Sequence, residues 1–108
     1  MKWVVEILND AVLAELEALP LDMRARLTRI IDLIEDIGLE RLREPYVKHL
    51  EGKLWEMRVK GRDGIARAIY VTARGRRVVI VHVFRKKTRK TPRAALKLAL
   101  SRARELDE

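Results

Sequence analysis

Cysteine is absent from this sequence, which rules out a disulfide framework and a thiolate metal site and suits a reducing compartment. Histidine is scarce: His49 and His82 lie far apart and give no zinc-ligand spacing, so no metal and no cofactor is expected. Aromatic residues are only 5% of the chain against 48% hydrophobic residues overall, so the core must be built from Leu, Ile, Val and Ala. Nowhere do about 18 apolar residues follow one another as a membrane span requires, and the apolar run in MKWVVEILND is too short for a signal peptide. The expectation is a soluble cytoplasmic protein with no membrane partner. With 108 residues, one domain spanning 1–108 is expected, enough for a single modest core.

Acidic residues are also scarce, but only in one half. Residues 1–52 carry 7 basic and 11 acidic side chains, whereas 53–108 carry 17 and 5, a net charge of +12. Within that half the run RKKTRKTPR places Arg85, Lys86, Lys87, Arg89, Lys90 and Arg93 in nine residues with no acid among them. Clustered cations gain affinity for a polyanion by releasing its counterions. An isolated basic run can equally be a solvated surface. Here the asymmetry spans half the chain, which favours a nucleic acid or an acidic protein as partner.

Along the chain, Trp3-Val4-Val5-Glu6-Ile7 is rich in β-formers and predicts a first strand. Asn9 or Asp10 offers an N-cap for a short helix, AVLAELEAL, that stops at Pro20, and Asp22 offers the next cap. Met23, Leu27, Ile30, Ile31, Ile34 and Ile37 then fall at helical spacing before a terminating Gly38. The short joint Leu19-Pro20-Leu21-Asp22 makes these two helices an antiparallel hairpin. LERLREPYVKHLEG, with Pro45 and Gly52, reads mostly as loop with a helical turn. Three strands follow, Leu54 to Lys60, Ile65 to Thr72 and Arg77 to Phe84, with connections short enough to force an antiparallel meander. Thr91 and Pro92 read as N-cap and first position of a last helix with an apolar stripe of Ala95, Leu96, Ala99, Leu100 and Ala103. The fold class is α+β, in the order β-α-α-β-β-β-α, with a small antiparallel sheet. The helical hairpin and the C-terminal helix are expected on one face, leaving the other for a ligand.

Strand parity places Trp55, Met57 and Val59 opposite Glu56 and Arg58, and Ile65, Arg67, Ile69 and Val71 opposite Ala66, Ala68, Tyr70 and Thr72. Arg67 is therefore a charge on an apolar face and needs a reason. If the three strands are neighbours, Arg58 and Arg67 converge with Lys86 and Lys87 in a cationic patch. Guanidinium groups in such a patch can bind RNA phosphates and stabilise charge that builds on a phosphate during cleavage. RNA carries its own nucleophile, the 2′-hydroxyl, so an enzyme need only orient it and move protons. A lysine at its ordinary pKa of about 10.4 needs desolvation or cationic neighbours to act as the base.

Leu54-Trp55-Glu56-Met57-Arg58, Ala66-Arg67-Ala68-Ile69-Tyr70 and Phe84-Arg85-Lys86-Lys87-Thr88, with Lys90-Thr91-Pro92 opening the last helix, resemble the RelE/ParE toxin superfamily, in particular its HigB-like, phage-derived branch. They lie within GKLWEMRVKGRDGIARAIYVT and VVIVHVFRKKTRKTPRAALKLA, which together cover about half the chain. The resemblance implies a RelE-like fold and the toxin of a type II toxin-antitoxin system, an endoribonuclease that cuts mRNA on the ribosome and inhibits translation. It implies that Arg67 stabilises the transition state, and that Lys86 and Lys87 supply charge stabilisation or proton transfer. Arg58, Phe84, Arg85, Lys90 and Arg93 would contact the RNA. The implied partners are mRNA on the ribosome and a cognate helix-turn-helix antitoxin, with operator DNA reached only through the antitoxin. The last helix has no Tyr, which RelE-type toxins can carry there, leaving Phe84 and Tyr70 as the aromatics near the patch.

Other readings stand beside these. ParE-like relatives share the architecture but inhibit DNA gyrase, and a non-catalytic nucleic-acid-binding module would also be basic. His82 reads as a semi-buried, hydrogen-bonded histidine on a face with Val78, Ile80 and Phe84, or as an acid-base group. His49 reads as solvated, Trp55 and Met57 as core, and Arg58 as an ion-pair partner of Glu56. Lys90 and Arg93 serve phosphate or the antitoxin, and Arg74, Arg76 and Arg77 a solvated turn.

Overall fold

A four-residue strand cannot stand alone, and Val4–Ile7 (β1) finds its neighbour at the far end of the chain. In the computed structural model, which describes residues 2–86, 88 and 90–106, β1 runs parallel to the last strand, with Val4 opposite Arg77 and Ile7 opposite Ile80. Between them come helices Asp10–Glu17 (α1) and Leu21–Ile37 (α2), a 3-10 turn at Leu39–Arg41, and strands Val47–Glu51 (β2), Leu54–Gly61 (β3), Gly64–Ala73 (β4) and Arg77–Lys86 (β5). Helix Arg93–Ala103 (α3) completes the fold. The sheet order is β1-β5-β4-β3-β2.

β3, β4 and β5 form the antiparallel meander their short connections demand. The sheet as a whole is mixed, not antiparallel, because the helical hairpin carries the chain back so that β1 lies alongside β5 in the same direction. β2, expected as loop, is an edge strand paired only with β3. Its exposed, charged sequence VKHLE has little strand signal, and pairing decides it.

The helices cover both faces. Val12, Met23, Leu27, Ile30 and Ile34 of α1 and α2 pack on Met57, Ala66, Ala68, Tyr70, Val78 and Ile80. On the opposite face Ala95, Ala99 and Ala103 of α3 pack on Leu54, Ile69, Val71, Val79 and Val81. The expectation of one bare sheet face is thus corrected: the apolar residues alternate on both faces of β4 and β5, so each face needs a cover. Of the two stripes read from sequence, Met23, Leu27, Ile30, Ile34, Ala95, Ala99 and Ala103 are buried, Ile31, Leu96 and Leu100 are half-buried, and Ile37 at the end of α2 is exposed.

Asn9 caps α1 through Val12 N, and Gly38 ends α2 at φ +99°, where a side chain would be strained. Asp22 does not cap α2, whose N-cap is Pro20; its carboxylate instead accepts from the Arg62 amide. Likewise α3 starts at Arg93 after Pro92, and the Thr91 hydroxyl is used elsewhere. At Gly61 an added Cβ would lie 2.5 Å from Met23 Cγ, so glycine lets the end of β3 close on α2.

Candidate phosphate-binding face

Register places the charged residues in rows across one end of the sheet. Arg58 lies opposite Arg67, and Arg67 opposite Phe84. One row outward, Lys60 lies opposite Ile65, and Ile65 opposite Lys86. Residues two apart on a strand share a face, so all six side chains belong to the α3 side, on strands about 4.8 Å apart. The sequence-predicted convergence of Arg58, Arg67 and Lys86 follows from the meander. Lys87 lies outside the described residues.

Beneath the rows lies a buried polar cluster. Glu56 and Arg67 are both 0% exposed. Glu56 accepts a hydrogen bond from Thr91 Oγ1 at 2.8 Å, and its other oxygen lies 3.1 Å from Arg58 Nε, close enough for an ion pair but not aligned as a hydrogen bond. Arg67 donates from Nη1 to the Lys90 carbonyl at 3.0 Å and from Nη2 to the Thr88 carbonyl. Its Nε has no hydrogen-bond partner among the described residues. Burial pulls the Arg67 pKa below the usual arginine range; the Glu56 carboxylate works against that shift and Arg58 adds to it. The apolar face tolerates Arg67 because two loop carbonyls accept its bonds and the buried Glu56 carboxylate offsets its charge electrostatically.

The remaining site residues fall into place around this cluster. Lys86 and Arg85 are exposed and line an open depression with Arg62, Asp63, Gly64 and Thr88, although parity sends Arg85 to the other face. Lys90 is exposed while its carbonyl holds Arg67. Arg93 pairs with Glu51 at 2.7 Å on the surface. Phe84 is half-buried, stacked on His82 with ring centroids 4.9 Å apart. Tyr70 is buried on the hairpin face, where desolvation pushes its phenol pKa up, so it is not a nucleotide platform.

A bulge corrects the reading of His82. Ile69 pairs with His82 but Tyr70 with Ile80, so Val81 is an extra residue and parity flips there. His82 therefore shares a face with Phe84 and not with Val78 and Ile80. Its Nδ1 lies 2.9 Å from Glu15 Oε1, which also accepts from the Val83 amide, while Arg102 binds Glu15 and the Val81 carbonyl. Burial pushes the Glu15 pKa up, but the bonds from Val83, His82 and Arg102 outweigh it and hold the carboxyl below its ordinary value. This cluster joins α1 and α3 across the part of β5 that β1 leaves uncovered. Arg77, read as part of a solvated turn, forks onto Glu6 at 2.8 and 2.9 Å. His49 lies on β2, its ring tilted against Trp55, which is 39% exposed at this edge rather than core.

Sequence reasoning missed Lys60, which strand parity with Arg58 would have found, and Thr91 as a partner of Glu56, which no local pattern signals. Among the described residues no three His, Cys, Asp or Glu side chains cluster as metal ligands, and no helix is long and apolar enough to cross a membrane.

The family described as phage-derived Gp49-like protein matches residues 14–104. No curated protein matches the chain. Among solved structures, a chain of the crystal structure of the archaeal RelE-RelB complex from Pyrococcus horikoshii OT3 is 26% identical, with a TM-score of 0.58, over 83% of this chain and 100% of that one. With the match extending from α1 to the end of α3, the chain belongs to the phage-derived Gp49-like family, a RelE- and HigB-like family within the RelE superfamily of toxins.

Proposed function

We propose that this toxin is a ribosome-dependent endoribonuclease that cleaves mRNA and so stops translation. The observation that carries the reading is the register that brings Arg58, Arg67, Lys60 and Lys86 to one end of one sheet face over a single buried carboxylate, Glu56. Such a face suits the pentacoordinate phosphate formed when a 2′-oxygen attacks, because its added negative charge meets preorganised cations. The 2′-oxygen bonds to phosphorus as the bond to the 5′-oxygen breaks; one proton leaves the 2′-hydroxyl and another reaches the departing oxygen. The reading gives Arg67 the phosphate oxygens, and Lys86 and Lys87 the charge or proton steps. Arg58, Phe84, Arg85, Lys90 and Arg93 position the strand. Because Arg67 is buried with its guanidinium bonded to the Thr88 and Lys90 carbonyls, it exchanges those two partners for phosphate oxygens when RNA binds.

The attack requires no metal or cofactor. The relative from Pyrococcus horikoshii was solved as a RelE-RelB complex, which supports a cognate antitoxin for this chain. The reading makes that antitoxin a helix-turn-helix protein through which operator DNA is reached. The site of action is the translating ribosome of the cytoplasm.

The test is primer extension on a reporter mRNA in a reconstituted translation system, with wild type, Arg67→Ala and Lys86→Ala/Lys87→Ala. New 5′ ends that need ribosomes and vanish in both variants are expected. Toxicity with intact mRNA would overturn the reading and point to gyrase, read by a supercoiling assay.

A further inference from the structure

β2 stops pairing at Val47, opposite Met57, so the end of β3 has a free edge. Around that edge an open groove of about 610 Å³ is walled by α2 on the hairpin side and reached by Arg58, Lys60 and Ile65 from the α3 side. Arg26 and Arg29 of α2, and Arg58 and Lys60 of β3, line it, with Ile30, Leu33, Val59 and Ile65 among its apolar residues. Tyr46 stands at its side, 49% exposed. Four cations and no carboxylate line it. By contrast the cleft of about 580 Å³ between Trp3 and Trp55 balances Glu40 and Glu44 against Arg43 and Lys48. Of these cations Arg58 is paired with the buried Glu56 at 3.1 Å from the far side of β3, and Arg26 has Asp22 beside it, whose carboxylate is already held by the Arg62 amide.

We propose that this groove is a binding track for single-stranded RNA, with Tyr46 as its stacking platform and Arg26, Arg29, Arg58 and Lys60 as its phosphate contacts. The inference deepens the ribonuclease reading, because it names the substrate path into the same site. Sequence-tolerant binding of a single strand needs two things: cations that follow the backbone and an exposed aromatic face on which a base can stack. Tyr70 is buried and Phe84 is stacked on His82, so Tyr46 is the aromatic left open beside the cations. The track is continuous with the cleavage face: Lys60, Ile65 and Lys86 lie side by side on three strands, about 10 Å from first to last.

A protein strand added to this edge is the competing occupant, and the edge is poorly suited to it. Strand addition needs open backbone donors and acceptors. The Arg58 amide already donates to the Tyr46 carbonyl, and the Lys60 carbonyl already accepts from Arg26 Nη1. What the groove offers is side-chain charge and a ring.

The experiment is fluorescence anisotropy with a labelled 2′-O-methyl RNA of about 12 nucleotides, which binds but lacks the attacking hydroxyl, over a salt series. Tyr46→Ala is expected to weaken binding about 5- to 100-fold and Tyr46→Phe to keep it. Arg29→Gln/Lys60→Gln is expected to lower the salt slope by about 1.4, two contacts at about 0.7 each. Unchanged affinity and slope in these exposed-site variants would overturn the track, even if wild type cleaves mRNA. So would loss of antitoxin binding with RNA affinity intact. Groove-dependent RNA binding by a protein that cuts no mRNA would leave the track standing and remove the ribonuclease reading alone.

Discussion

Glu56→Ala removes the carboxylate that pairs with the Arg58 guanidinium and acts electrostatically on that of Arg67. Glu56 and Arg67 are fully buried and Arg58 is 20% exposed, so the positive charges left behind are only partly reached by water. Breaking a buried charge cluster by deleting one partner costs about 3–5 kcal/mol, set mainly by the uncompensated charge. Against a domain stability of about 5–15 kcal/mol that is a large share. Glu56→Gln keeps the volume and an acceptor for Thr91 but not the charge, and Thr91→Val removes one hydrogen bond to a charged group, about 1.5–3 kcal/mol. Because Glu56 and Thr91 touch, their changes should couple by about 0.5–3 kcal/mol in a double-mutant cycle. Urea unfolding followed by the fluorescence of Trp3 and Trp55 reads this as a shift in midpoint at constant slope. A Glu56→Ala cost within about 0.5 kcal/mol, the range of an ordinary surface change, would refute Glu56 as the counter-ion of the site.

Glu15→Gln is expected to cost about 1–3 kcal/mol at neutral pH through lost bonds to Val83, His82 and Arg102. The folded Glu15 pKa lies below its ordinary 4.5, so the wild-type advantage is full above that value, narrows as pH falls through it and ends below the folded pKa; urea midpoints across pH check the sign. Gly61→Ala forces a Cβ to 2.5 Å from Met23 Cγ and 2.9 Å from Asp22 Oδ2, and a thermal melt should show about 1–3 kcal/mol lost, with an unchanged melt refuting the close approach. Arg93→Ala breaks only an exposed pair with Glu51, its side chain 67% exposed, so its urea midpoint should match wild type; a clear drop would show that the pair anchors α3.

Hydrophobic period and turn chemistry alone determine the α2 stripe, the β3-β4-β5 meander and the Ala stripe of α3, because each is local: side chains every third or fourth residue, or strands joined by a few residues. The convergence of Arg58, Arg67 and Lys86 was legible for the same reason, since register across short hairpins follows from parity. Tertiary structure decided what local pattern cannot carry. Whether α3 joins α1 and α2 or takes the opposite face, whether VKHLE pairs, and where Val81 bulges depend on which surfaces meet across dozens of residues. The same holds for Thr91 reaching Glu56 and Tyr46 coming to stand beside Lys60: each joins segments that share no local pattern, and only the packed sheet brings them together.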